Sequence, residues 1–199
     1  MRIIIVLFYF SLFIHPCTSQ EGINLRDFDN EIRKNIGLFE STVRYVANCK
    51  TLKSYRNRKR EYIKDIFVED AIIEVLPSPG KAIVTCDVAS YFKRVMGYCD
   101  KYDLTIINFT SLVEPKEFVE IIYEGKIAYS GKAIIRQCTS FYKITSSNKE
   151  IPDVALIKPE ECTDKVLDFI IHQRVSALGL SYTVKLKSIK VIDGKYVKR

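Results

Sequence analysis

The strongest constraint on this chain is a change of period. Up to Tyr102, apart from one short interruption, the apolar residues recur every three or four positions, whereas later segments carry the β-branched and aromatic texture of strands. Between 24 and 50 the apolar positions are Leu25, Phe28, Ile32, Ile36, Phe39, Val43 and Val46, which predicts a long amphipathic helix with Asn24 as its cap. A second helix is expected over 58–68, with Tyr62, Ile63, Ile66 and Phe67 on one face. The stretch "DIFVEDAIIEVLPSPG" then switches period at Asp70-Ala71: Ala71, Ile73 and Val75 point one way, Ile72, Glu74 and Leu76 the other, and "PSPG" ends the run as a turn. Asp87 caps a third helix carrying Val88, Tyr91, Phe92, Val95, Cys99 and Tyr102. Beyond it, "LTIINFTSLV", "EFVEIIYEGKIAYSGKAIIRQCTSFYKI" and "LSYTVKLKSIKVI" read as strands, with Gly125 and Gly131 at turns or bulges. Residues 145–162 read as a long connecting loop, and 164–178 fit helix or strand equally well. Three helices ahead of several long strands imply an α+β fold, the helices packed on one face of a strongly curved antiparallel sheet.

The first nineteen residues, "MRIIIVLFYFSLFIHPCTS", have one arginine, an apolar run from Ile3 to Ile14 and small residues before Ser19. That is the pattern of a secretory signal peptide, and the run is shorter than the roughly 20 residues a membrane helix needs. Residues 20–199 are then expected to form a single exported domain. Removal of the leader takes only Arg2 from a net charge of +7, and the remaining lysines and arginines are interleaved with acids. The one dense cluster, Arg56, Arg58, Lys59 and Arg60, is expected to be a solvated helix start. Neither nucleic acid nor a membrane span is expected as a partner.

Cys17 falls in the leader, so the processed chain carries Cys49, Cys86, Cys99, Cys138 and Cys162. In an oxidising compartment most of these pair, and the odd count leaves one free or bonded to another chain. If 87–101 is helical, Cys86 and Cys99 lie roughly 20 Å apart, too far for a bond whose Cα atoms sit within about 7 Å. No CxxC spacing points to zinc. One sequon, Asn108-Phe109-Thr110, predicts a surface glycosylation site.

The order helix, helix, "FVEDAIIEVLPSPG", helix, β-meander resembles the NTF2-like superfamily, which includes nuclear transport factor 2, scytalone dehydratase, and SnoaL and ketosteroid isomerase relatives. The resemblance spans Asn24 to Tyr142 and the final strand. It implies a cone, in which a bent sheet wraps the helices and leaves an apolar pocket at its open end. Isomerases of this superfamily read Asp-Ala-x-Val-Glu-Asp-Pro at the strand, the second aspartate being the proton-shuttling base. Here Asp70, Ala71, Ile73 and Glu74 match, but the base position falls on Val75, which cannot move protons.

His172, the single histidine of the processed chain, has no identifiable partner, and no HExxH, GxSxG, P-loop or GxGxxG motif occurs. No catalytic residue, cofactor or metal site is therefore expected. The leading expectation is a secreted, non-enzymatic protein binding a small apolar ligand or an extracellular protein, with a homodimer through the outer sheet face as a further option. The expected pocket lining is Phe39, Val43, Ile73, Val75, Tyr91, Phe92 and Val95. Two alternatives compete: a divergent isomerase or dehydratase using Asp70, Glu74 or His172, and a cystatin-like protease inhibitor. The latter rests on "QRVSA", Gln173 to Ala177, one residue from the cystatin Gln-x-Val-x-Gly wedge, but without the tryptophan that cystatins use.

Overall fold

The computed structural model describes residues 25–77, 81–102, 104–144, 154–176 and 179–192. The expected leader and part of the "PSPG" turn lie outside them. Helix α1 runs Leu25–Val46. Its three-four repeat buries Phe28, Ile32, Ile36, Phe39, Val43 and Val46 along one stripe, while Asp29–Arg33 and Glu31–Lys34 pair on the wet side. Asn35 interrupts the stripe. It is buried, and its Nδ2 donates to the Val184 carbonyl at 2.7 Å, tying the helix to the sheet below.

Helix α2, Lys53–Tyr62, starts earlier and ends sooner than periodicity indicates, and a 3-10 turn, Ile63–Ile66, follows. Strand β1 then runs Phe67–Val75, so the helix-to-strand switch comes at Ile66-Phe67, not at Asp70-Ala71. The reason is that α2 has almost no apolar face of its own, and Phe67 and Val68 are both buried, which mimics a helical stripe in one dimension. The basic cluster also departs from expectation. Arg56 is buried, with Nη2 donating to Asp100 Oδ1 at 2.7 Å and Nε to the Thr51 carbonyl at 3.1 Å, so it joins α2 to the third helix. Burial pushes the Asp100 carboxyl up, but hydrogen bonds from Arg56 and Lys53 outweigh it and hold the acid below its ordinary value.

Strand β2, Val84–Asp87, leads into α3, Val88–Tyr102. Asp87 caps α3 as expected: Oδ1 accepts the Ser90 N–H at 2.7 Å and Oδ2 the Ser90 hydroxyl at 2.8 Å. Four long strands complete the chain: β3 Leu104–Tyr123, β4 Lys126–Ile144, β5 Val154–Ser176 and β6 Gly179–Val191. The sheet order is β2-β1-β6-β5-β4-β3. All neighbours are antiparallel except β1 and β6, which run parallel. No hairpin joins those two, so nothing local dictates their sense. Register shifts interrupt the β3–β4, β4–β5 and β5–β6 ladders, and such bulges bend a sheet. The architecture is thus the α+β cone that the sequence resembles.

The open segment 164–178 is strand up to Ser176, and the connection expected over 145–162 is shorter, because β5 begins at Val154. "KPEE" disguised that beginning. Pro159 is accommodated because it falls in the β4–β5 register shift between the Phe141–Lys158 and Thr139–Glu161 pairs, and because β6 pairs with β5 only from Lys165 onward. Glu124 and Gly125 both have positive φ, 51° and 73°, and form the two-residue β3–β4 hairpin turn. Gly131 stands at a bulge, as expected: the β3–β4 register shifts between Lys116 and Phe118, the latter its partner. On its other side it pairs with Phe169, where a Cβ would stand 2.4 Å from that ring.

The core fills the space between α1, α3 and the concave sheet. Phe28 is fully buried in it, with ring centroids of Tyr182, Phe118 and Tyr129 at 4.7, 5.2 and 5.8 Å. Each large side chain buried there contributes about 1.5–3 kcal/mol. Two disulfides close the framework: Cys49–Cys99 ties the turn after α1 to the last turn of α3, and Cys138–Cys162 joins register partners of β4 and β5. Cys86 has no disulfide partner.

Candidate functional site

Side chains alternate between the two faces of a strand, and on β5 the inner face changes character partway along. Ile171, Phe169 and Leu167 belong to the core; Lys165, Thr163 and Glu161 continue the same face. On β4 the inner face runs Ala133, Ile135, then Gln137, Thr139 and Phe141. Where the apolar side chains stop, a cleft begins.

Its floor is therefore Gln137 and Thr139 beside Glu161, Thr163 and Lys165, and its walls come from the other elements. Helix α1 gives Val43, β1 gives Val75 followed by Leu76 and Pro77, α3 gives Tyr91, Arg94, Val95 and Tyr98, and β3 gives Ile106. The space is about 100 Å³, room for several waters or a small organic group. The Cys138–Cys162 disulfide lies on the other face of the same two strands and clamps them.

The inner end of the cleft is the drier one. Lys165 is 4% exposed and Thr163 8%, while Glu161 is only half-buried. Tyr91 and Gln137 are buried and share a hydrogen bond. Burial pushes the Tyr91 phenol above its ordinary range, so it stays protonated. Burial likewise pulls the Lys165 ammonium down to about 8, against a smaller opposing effect of the Glu74 carboxylate. Lys165 Nζ donates to the Glu74 carbonyl at 3.2 Å. The Glu74 carboxylate itself accepts the Val191 N–H at 2.9 Å.

Of the residues expected to line a pocket, Val43, Val75, Tyr91 and Val95 border this cleft. Phe39, Ile73 and Phe92 lie behind it in the core, with Phe39 and Phe92 packed on the Tyr91 ring at 5.7 and 5.2 Å. Asp70 is exposed on β1. His172 borders a separate surface hollow with Glu124, Lys126, Arg174 and Lys185, its ring edge-on to Tyr123 at 5.3 Å. Burial pushes the His172 imidazole below its ordinary value. Asp70 and Glu74 line neither this cleft nor the hollow that His172 borders. Asn108 stands opposite Thr139 in β3, its side chain outside the described residues. Gln173 to Ser176 end β5, and Ala177 is also outside the described residues.

The polar floor was missed because 145–162 reads as loop and 164–178 has no clear period. A lysine and a threonine at alternate positions beyond Leu167 were the available signal, legible only once the segment is known to be strand. Among the described residues no group of three His, Cys, Asp or Glu side chains could hold a metal, and no helix is long and apolar enough to cross a membrane.

No protein-family model matches the chain, and no curated protein matches it. Among solved structures, a candidate aromatic-ring-hydroxylating dioxygenase β subunit from Novosphingobium aromaticivorans is similar at 13% identity and TM-score 0.41, over 88% of this chain and 92% of that one. A candidate scytalone dehydratase from the same organism has 10% identity and TM-score 0.39, over 88% and 87%. ActVI-ORFA from Streptomyces coelicolor has 10% identity and TM-score 0.36, over 83% and 96%. Likenesses this remote say nothing of activity.

Proposed function

We propose that the chain is an exported small-molecule-binding protein whose cleft receives a small, largely apolar ligand with one polar end, and performs no chemistry on it. One observation carries this reading: apolar walls from four elements converge on a buried polar floor of Gln137, Thr163 and Lys165, the pattern expected of a ligand site. Val75, at the position where related isomerases place their base, borders the cleft and is inert. The apolar leader pattern and the two disulfides support export.

Native mass spectrometry of the processed protein from a eukaryotic secretory host tests the proposal. A small adduct released on acid unfolding, and lost when Val95→Trp fills the cleft, is the expected result. A bare mass, with no ligand recovered from a diverse small-molecule screen, would count against it.

A second reading has its own support. Tyr91 and Lys165 are buried proton carriers on one cleft, so an isomerase or dehydratase acting through them, and not through Asp70, Glu74 or His172, is the enzymatic alternative. Turnover of a bound ligand that disappears in Tyr91→Phe would favour it.

A further inference from the structure

We infer that the cleft is built for a ligand with an acidic head, a carboxylate or similar oxyanion, seated on the Lys165 ammonium with its apolar body directed toward Tyr98 and Phe141. The inference rests on the small-ligand reading above and specifies the ligand's chemistry.

The starting point is an incomplete set of partners. An ammonium has three donors, and among the described residues Lys165 uses one, on the Glu74 carbonyl at 3.2 Å. It makes no ion pair within 4.0 Å among those residues, although it is 4% exposed. Buried charges are normally paired or hold a ligand, because an isolated one has lost its water without compensation. Two N–H groups at the closed end of a cleft are a receptor for anionic oxygen.

The other charged and titratable groups around the cleft fit that assignment. Glu74 reaches Lys165 from β1, but its carboxylate is engaged by the Val191 N–H. Tyr91 on α3 is a neutral phenol able to donate to a carboxylate. Arg94, also on α3, adds positive charge to the lining. Glu161 is four residues along β5 from Lys165, about 13 Å at strand rise, too far to neutralise it. The inner end therefore favours an anion, and Tyr98 and Phe141, whose rings lie 5.0 Å apart, offer an aromatic surface to an apolar body.

Calorimetric titration of the intact, disulfide-bonded protein with 3-phenylpropanoate and with its amide tests this. The two probes match in size and differ in charge. At pH 7 the acid is expected to bind at least tenfold more tightly. The margin should collapse by pH 10, where Lys165 is neutral and both probes are unchanged. Lys165→Met should cost the acid much more affinity than the amide and so abolish the margin between them, while Lys165→Arg should retain a margin. Equal binding of acid and amide by the wild type, or a margin indifferent to Lys165→Met, overturns the acidic-head assignment and leaves the small-ligand reading standing. Failure of both probes to bind at millimolar concentration counts against both. Should Lys165→Met not fold, the wild-type pH series and Lys165→Arg still decide.

Discussion

A buried ammonium without an ion pair should weaken the ligand-free fold, and Lys165→Met measures by how much. The ordinary lysine value of 10.5 falls to about 8 on burial. Each pH unit corresponds to about 1.4 kcal/mol, so the charged form is disfavoured by about 3 kcal/mol. Because the folded value lies below the unfolded one, the unfolded chain holds this proton more tightly between pH 8 and 10.5. Stability from this group therefore rises with pH through that window, and its full cost is present below pH 8. Methionine removes the charge and forfeits the hydrogen bond to the Glu74 carbonyl, a loss of about 1 kcal/mol. The net expectation at pH 7 is a gain of about 2 kcal/mol, or roughly 4–8 °C in Tm for a chain of this size. Thermal unfolding of both proteins at pH 7 and pH 10, with disulfides intact, is the assay. The advantage of the methionine variant should vanish or reverse at pH 10. A methionine variant less stable than the wild type at pH 7, or a difference that ignores pH, would refute the reasoning.

Gly131→Ala should cost about 1–3 kcal/mol in denaturant unfolding, because its Cβ would meet the fully buried Phe169 ring at 2.4 Å; an unchanged midpoint would mean the ring yields freely. Replacing Cys49 and Cys99 by serine opens a loop of sequence separation 50 and replacing Cys138 and Cys162 one of 24, costing about 4 and about 3 kcal/mol on chain entropy. Peptide mapping without reduction should return those two pairs and an alkylated Cys86; a bridge to Cys86 would contradict the framework. In an NMR titration His172 should protonate below the ordinary imidazole value. The sign follows: its contribution to stability is present at neutral pH and lost as pH falls through the folded value, and a midpoint above 6.5 would place the ring in a different environment.

Much of the helical layer was legible in the sequence. The stripe from Phe28 to Val46 is a local property, since any helix with that spacing presents one apolar face, and Asp87 caps α3 within a single turn. The α+β class follows from element order. The exclusion of paired Cys86 and Cys99 needed only helical rise. Other features were not local. Arg56 looks like its basic neighbours until α3 brings Asp100 to it, and nothing near Gly131 in the chain shows that β5 lays Phe169 across it.

The polar floor depends most on tertiary structure. Lys165 is one of many lysines in one dimension, and nothing nearby marks it as buried. It becomes a cleft residue because β5 pairs with β4 in a register that aligns Thr163 with Gln137 and Lys165 with Ile135, while α3 closes over them with Tyr91. The sequence by itself determined which faces are apolar, where α3 is capped and which cysteines cannot meet, because those depend on spacing along the chain. Strand register, the parallel β1–β6 pair and the burial of Lys165 were decided only when distant segments packed, since pairing energy depends on partners that local sequence does not specify.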